Sequence, residues 1–431
     1  MYQISLRWLA CDSGNLFVAM QPSDPDVVIV GAGIAGASLA TVLARSGLEV
    51  VLLERQREYS DRVRGEYMAM WGVLEARELG LEDVLASTGA VTARYSVPYD
   101  ELLPPAGAEA AVRDMSTLLP GVAGALCASH PNACQALAEE AARSGAKVVS
   151  GVANVRVEAG TRPSVSFQNG AAREVRPRLV VGADGRTSTV RVQCGIEQRR
   201  AAPTHLIAGM LVEGVPSWPD DHYSIGTEGD LQFYVFPQGS GRVRLYTCQA
   251  NDQAGRWAGA DGSRRFLEAF AGRRSLPAAA EIGLGSPAGP CATMSGEDTW
   301  SDRPFTDGVV LIGDAAGYND PVSGQGLSLG MRDVRDVSEL LLASSDWSVA
   351  AFRPYGEERT ERMRRMRRVA ATYAALMTTF SEAGRARRGR FYSRMAKGDR
   401  DAQMVLAAVF VGPHRLPAEA FSEELHAAIL A

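Results

Sequence analysis

Short, unbroken apolar runs that end in glycine recur along this chain. Asp26-Val27-Val28-Ile29-Val30 is apolar after its first residue, the pattern of a strand buried on both faces of a parallel sheet. Gly31-Ala32-Gly33-Ile34-Ala35-Gly36 follows at once, and a helical spacing through Leu39, Val42 and Leu43 runs to Ser46-Gly47. A second run, Val50 to Leu53, closes on Glu54. The same kind of run returns at Leu179-Val180-Val181, ending in Gly182-Ala183-Asp184-Gly185-Arg186 with Arg191 closing the element, and again at Leu311, ending in Gly313-Asp314.

Elsewhere the periods alternate. A helix is predicted from Trp71 to Leu85, anchored by Val73, Leu74, Leu79 and Leu81, and another from His130 through Cys134, Leu137 and Ala141 to Ser144-Gly145. Strand character marks Lys147 to Val149, Val155 to Val157 and Val165 to Phe167; Tyr95 to Leu119, interrupted by Pro104-Pro105, reads as strands and a loop of a second layer. Leu231 to Phe236 and Val243 to Tyr246 flank Gln238-Gly239-Ser240-Gly241 as an antiparallel hairpin. One face of it carries Tyr234, Phe236 and Tyr246 and the other Phe233 and Val235, and the pattern does not choose which face meets a ligand. After Met331 the chain reads as helical. Glu357 to Met377 is expected to be a surface helix docked by an apolar stripe, with membrane-surface attachment as the alternative. The tail from Ala383, with Arg385, Arg387, Arg388, Arg390 and Arg394, reads as a lid, a dimer contact or a solvated end.

The turns carry the candidate chemistry. Strand, glycine turn, helix, strand and acid form one unit: Gly31 for the tight turn, Gly33 for close approach of a pyrophosphate, Gly36 for helix-strand packing, and Glu54 for a ribose diol. From Leu311 to Val334, Pro321 sits in an irregular loop and Gly324-Gln325-Gly326 opens a helix, as suits an anion-facing helix N-terminus beside a flat ligand. Arg64-Gly65-Glu66 lies where the chain would pass back under that ligand, so Arg64 is either a contact to its phosphate or flat ring or part of a solvated loop.

Size and charge narrow the class. The 431 residues, 46% apolar and 22% charged, describe an ordinary globular protein of two to three domains. A net charge of -5 leaves no basic surplus for nucleic acid, and no apolar run is long enough to cross a bilayer. Cys11, Cys127, Cys134, Cys194, Cys248 and Cys291 are scattered without a C-x-x-C pair, which reads as reduced thiols in a cytoplasmic protein with no metal site. Residues 1–25 are expected to be an N-terminal extension.

Gly31 to Glu54, Gly182-Ala183-Asp184-Gly185, and Gly313-Asp314 with Asp320-Pro321-Val322-Ser323-Gly324-Gln325-Gly326 resemble, in order, the motifs of the group A FAD-dependent monooxygenases, the para-hydroxybenzoate hydroxylase-like aromatic hydroxylases. The resemblance spans roughly residues 26 to 380. It implies an α/β fold in which a glutathione-reductase-type, Rossmann-like FAD domain is interleaved with an antiparallel substrate sheet and followed by C-terminal helices. The corresponding segments are 26–90, 121–203 and 300–350 for FAD, 91–120 and 204–299 for substrate, and 351–431 for the helices.

By the same resemblance, Gly31, Gly33, Ile34, Ala35 and Gly36 meet the pyrophosphate, Glu54 the adenosine ribose, and Asp314, beside Gly313, a ribityl hydroxyl. Asp184 holds local structure for FAD and NAD(P)H. Pro321 lies beside the flavin ring, and Gly324, Gln325, Gly326 and Leu327 present N–H groups to its pyrimidine end; Pro321, Gly324 and Gly326 are thus nearest the chemistry. Arg55, Arg64 and His130 complete the cofactor-binding set. The implied activity is NAD(P)H-consuming insertion of one oxygen from dioxygen through a flavin C4a-hydroperoxide, by a monomer or homodimer, into a mid-sized, partly apolar specialised metabolite. Met68, Met70, Met210, Tyr234, Phe236 and Tyr246 are available to line its pocket, and His222 is a conceivable base for a phenol.

The chain departs from the family pattern at Gly317, where a histidine is common, at Asp320, where a proline is, at Ser328 for asparagine and at His130 for arginine. Competing readings are a reductase or dehydrogenase acting on an alkene and a non-catalytic flavin-binding protein. A flavin-dependent halogenase is disfavoured, because no Lys lies between Gly36 and Lys147 and there is no W-x-W.

Overall fold

The computed structural model describes residues 24–431; the expectations for residues 1–23, Cys11 and most of the N-terminal extension among them, fall outside it. Among the described residues, one sheet of six strands runs in the order Phe305–Thr306, Val309–Leu311, Leu179–Gly182, Val27–Val30, Val50–Glu54, Lys147–Ser150, parallel throughout except at the Phe305–Thr306 edge. Its apolar runs are unbroken because both faces are covered. Val27, Ile29, Leu52 and Val181 pack under the helices Ile34–Arg45, His130–Arg143 and Gly326–Ala343, whereas Val28, Val30, Leu53 and Val180 join a second core with Val157, Val165 and Phe167. Those last three come from an antiparallel sheet, Ala153–Glu158, Ser164–Asn169 and Ala171–Val175.

Register decides where the site lies. Val30 pairs with Gly182, and Gly182 with Leu311, so the turns after these three strands leave the same edge side by side. Carboxyl ends of adjacent parallel strands are where a doubly wound sheet offers its crevice.

A second, mostly antiparallel sheet stands over that crevice. Its strand path is Ser286–Pro287, His205–Glu213, Arg242–Gln249, Leu231–Pro237, His222–Glu228, Tyr95–Val97, Arg113–Asp114. The predicted hairpin is present, with Tyr234 opposite Tyr246. Its outer face buries Met210, Phe233, Val235 and Leu245 against Phe266 and Phe270 of the helix Gly262–Ala271.

Several local expectations are corrected. The helix expected from Trp71 to Leu85 is two, Met70–Glu78 and Glu82–Ala86, parted at Gly80. Pro105 opens a short helix, Pro105–Ala110, rather than a loop. The helix Arg353–Met377 docks by the expected apolar stripe, Met363, Met366, Val369, Ala370 and Tyr373, with Glu357, Arg364 and Ala371 exposed, but Arg359 and Arg362 on it are fully buried in ion pairs with Asp333. The Arg-rich tail is docked as well, since Arg388 is buried against Asp100 and Glu101. Among the described residues no helix is long and apolar enough to cross a membrane, and Cys127, Cys134, Cys194, Cys248 and Cys291 are free thiols.

Candidate functional site

The first turn is shaped by contacts no side chain could share. Gly31 has φ +103°, donates its N–H to Leu53 O at 2.8 Å, and lies so close to Ala183 that a Cβ would stand 2.5 Å from its carbonyl oxygen. A Cβ on Gly36 would be 1.9 Å from Gly31 O, whereas one on Gly33 would meet nothing within 4 Å. Close packing behind and open space in front is the shape of a pyrophosphate cradle. The helix Ile34–Arg45 begins there without a side-chain cap, leaving first-turn N–H groups to face the space. The Ala35 side chain packs toward Gly313 and Gly330, so only its backbone N–H faces the space.

Glu54 is buried, and its carboxylate accepts from Ala32 N–H at 2.8 Å and Gln56 N–H at 2.9 Å. It therefore pins the glycine turn to the strand end and keeps further lone pairs for a diol. Tyr59, which sequence reasoning missed, donates its hydroxyl to Ala32 O at 2.8 Å and covers the turn. Arg55 is exposed at the rim.

Positive charge collects along the groove. The Arg64 guanidinium is driven down from its usual pKa by burial and then by Arg186, Arg62 and Arg55, with Asp314 acting the other way. Arg186, also missed, places Nε 3.3 Å from Asp314 and its guanidinium 4.4 Å from the centre of the Tyr318 ring. Cations that destabilise one another around an open cradle are poised for an anion. His130 packs beneath Gly65, where burial and Arg64 bring its pKa down to about 4. The imidazole is neutral, so the charge an arginine at 130 would bring comes from Arg64 and Arg186.

Asp184 holds structure. Its carboxylate accepts from Ser188 Oγ at 2.5 Å, from Thr189 N–H and Oγ1 at 2.6 and 2.9 Å and from Val190 N–H at 3.2 Å, fixing the turn into Thr189–Gln193.

The Gly313-Asp314 turn is built from behind. Gly313 N–H donates to buried Asp333 at 2.7 Å, and Arg359 binds Asp333 together with the carbonyls of Gly313, Ala316 and Gly317. Asp314 stays partly open to the groove, near Arg186. The glycine at 317 now has a reason: φ is +121°, and a Cβ would stand 2.5 Å from Thr299 O. Gly317→His should therefore lower the melting temperature by several degrees, as about 1–3 kcal/mol of strain requires; an unchanged melt by differential scanning calorimetry would contradict the crowding. Ser328 lies against Gly72, where a Cβ would be 2.2 Å from Oγ, so the larger asparagine has no room.

Asp320 caps the single turn Pro321–Ser323 through Val322 N–H at 3.0 Å and is itself held by Asp298, which accepts from its N–H at 2.9 Å. Gln325 spends its amide on Trp71 Nε1, Ser323 O and Val409 O, so only its backbone N–H can serve a ligand. A Cβ on Gly326 would meet nothing within 4 Å, and the helix Gly326–Ala343 opens into that space.

The inner face of the second sheet closes the groove. Tyr234 donates its hydroxyl to Val322 O at 2.6 Å, and Phe236 has ring neighbours in Tyr234 at 5.7 Å, Tyr67 at 4.9 Å, Tyr223 at 5.9 Å and Tyr246 at 6.2 Å. Tyr67 in turn lies against Gly324. The structure thus brings Tyr234, Phe236 and Tyr246 together and adds Tyr67 and Tyr223, which alternation on isolated strands did not single out. Met210 does not belong here: it is in the core of the opposite face, one residue out of phase with Gly209, which pairs with Tyr246. Met68 pairs with Leu126 in a small three-stranded sheet, and Met70 starts a helix; both are buried in the main core. His222 is directed away from Tyr223's face and bound to Asp221 at 2.6 Å, so it is no base for a substrate in this groove.

One buried polar group faces the wall. Burial pushes the Glu66 carboxyl up, opposed by Arg244 at 3.3 Å and by the Tyr246 hydroxyl, which donates to it; Arg244 also meets Asp61 at 2.6 Å.

The FAD binding domain family matches residues 24–370. The chain belongs to this family. FAD is accordingly the flavoprotein's cofactor, with NAD(P)H the reductant typical of the family. Squalene epoxidase 3 of Arabidopsis thaliana is 25% identical over 346 residues, 74% of this chain and 60% of that protein, so the chain spans less than two thirds of its relative's length. Digeranylgeranylglycerophospholipid reductase of Methanothrix thermoacetophila is 28% identical over 348 residues, 77% of this chain and 81% of that one. In fold, p-nitrophenol 4-monooxygenase PnpA of Pseudomonas putida superposes with a TM-score of 0.78 over 92% of this chain and 100% of that one, at 18% identity. The interleaved glutathione-reductase-type architecture expected from the sequence is that of the solved flavoproteins on which the chain superposes.

Proposed function

We propose that this chain is an FAD-dependent, NAD(P)H-consuming monooxygenase that inserts one oxygen atom of dioxygen, by hydroxylation or epoxidation, into a mid-sized, partly apolar substrate. The observation that carries the reading is the convergence of the three turns after Val30, Gly182 and Leu311 on one groove, opposite an aromatic wall. Gly31, Gly33, Ile34, Ala35, Gly36 and the arginines Arg64 and Arg186 hold the pyrophosphate, Glu54 the ribose and Asp314 the ribityl chain. Bound FAD supplies the electron transfer and the oxygen activation. Gly324, Gln325, Gly326 and Leu327 direct backbone N–H groups and a helix dipole to the place where negative charge gathers, and these dipoles are fixed before any charge appears. Pro321 and the Tyr234 hydroxyl bond to Val322 keep that loop against the wall. Phe236, Tyr67 and Tyr223 exclude water, and Glu66 with Arg244 orients the Tyr246 hydroxyl.

Asp314→Ala should yield largely colourless protein, with flavin absorbance per mole reduced at least tenfold; a full complement would remove Asp314 from the cofactor's binding set. Likeness to a squalene epoxidase supports epoxidation, while likeness to a digeranylgeranylglycerophospholipid reductase supports the second reading, reduction of an alkene. Mass spectrometry of the product formed under labelled dioxygen separates them. One label per product is expected, and a saturated product without label would overturn the oxygenase reading.

A further inference from the structure

The edge strand Arg113–Asp114 sends its two side chains to opposite faces of the substrate sheet. Asp114 is taken up by Arg94 at 3.0 and 2.6 Å and by Ser116, so it does not neutralise its neighbour. Arg113 lies on the inner face: it is in register with Ser96, and Ser96 with Tyr223. Its guanidinium is half-buried, 5.5 Å from the centre of the Phe410 ring of the helix Arg400–Val411. Burial lowers its pKa, with the Tyr223 hydroxyl acting the other way. Among the described residues no carboxylate comes within ion-pair distance of it. Two buried arginines of the same region are matched, Arg244 by Asp61 and Glu66, and Arg388 by Asp100 and Glu101. A half-buried guanidinium beside an aromatic ring with no carboxylate at hand keeps its donors open for an anion.

We infer that Arg113 receives a terminal anionic group, a carboxylate or phosphate, of an elongated and otherwise apolar substrate. Three strand spacings, about 14 Å, separate its strand from that of Phe236, so the anion sits at one end and the reacting carbon near Phe236 and Pro321 at the other. Which end reacts rests on the oxygenase reading; the anion contact does not.

The test is calorimetric titration of the FAD-loaded chain with dodecanoate, dodecyl phosphate and dodecanol. The dodecanoate or the phosphate should bind at least tenfold more tightly than the alcohol, and the tighter of the two names the headgroup. In Arg113→Met, or Arg113→Gln should that variant misfold, the preference should vanish with FAD content unchanged, while Arg113→Lys keeps part of it. Equal affinities in the wild type, no binding of either anion, or a preference that survives Arg113→Met would overturn the assignment. Failure of the oxygenase reading would show separately, as unlabelled product with the anion preference intact.

Discussion

Replacing Arg359 by Met should give a chain recovered without flavin, if it is recovered in soluble form. Arg359 is 1% exposed and makes five hydrogen bonds: two to Asp333 at 3.1 Å and one each to Ala316 O, Gly313 O and Gly317 O at 3.0, 3.1 and 2.9 Å. Met would fill the stem of the space and satisfy none of them. Asp333 would keep only Arg362 as its cationic partner, and the carbonyls of Gly313 and Gly317 would lose their donor, while Ala316 O would keep only the Ser301 N–H at 3.1 Å. Breaking a buried ion pair costs about 3–5 kcal/mol and each orphaned carbonyl about 1–3 kcal/mol, against a total stability of about 5–15 kcal/mol. Arg359→Lys, which keeps the charge but not the planar fork, should fall between. The ratio of flavin to protein absorbance together with thermal melting measures both; wild-type values in Arg359→Met would show that the turn stands without its buttress.

That residue also marks where the sequence stops being readable. The turns themselves were legible because glycine and acid at fixed spacing after an apolar run leave few physical alternatives, and the sheet register then brought Val30, Gly182 and Leu311 level. Arg359 was not. In a chain whose cations are almost all arginine, with Lys only at 147 and 397, nothing local separates a buttress from a solvated charge, and an Arg-rich turn read as surface. What buries it is Asp333, one helix earlier, and no periodicity connects the two. Met210 failed for a related reason: strand alternation assigns a face only relative to neighbours, and the pairing of Gly209 with Tyr246 had to be known first. Arg186, Glu66 and Arg244 matter through partners remote in sequence, and so were invisible until the sheets met.

The glycine turn allows a sharper separation between what the fold needs and what the ligand needs. Gly33 has φ −71° and ψ −175°, extended backbone that alanine adopts freely, and a Cβ there would touch nothing. Gly33→Ala should therefore leave the melting of the flavin-free protein unchanged within about 0.5 kcal/mol. It should nevertheless weaken FAD binding on the order of 10- to 100-fold, because the methyl group enters the space where an anion must reach the N–H groups, and charge-assisted hydrogen bonds of about 1.5–3 kcal/mol each are lengthened or lost. Gly36→Ala should behave otherwise. Its Cβ would be placed 1.9 Å from Gly31 O, and Gly31 has no retreat, being bonded to Leu53 O on one side and pressed on Ala183 on the other. Forced overpacking of this kind costs about 1–3 kcal/mol, so this variant should lose stability even without flavin, and flavin besides. Titrating FAD into both flavin-free variants, with calorimetric melting alongside, checks the contrast. Should Gly33→Ala bind FAD as the wild type does, the pyrophosphate does not lie over this turn, and the groove defined by the three strand ends is not the one the cofactor occupies.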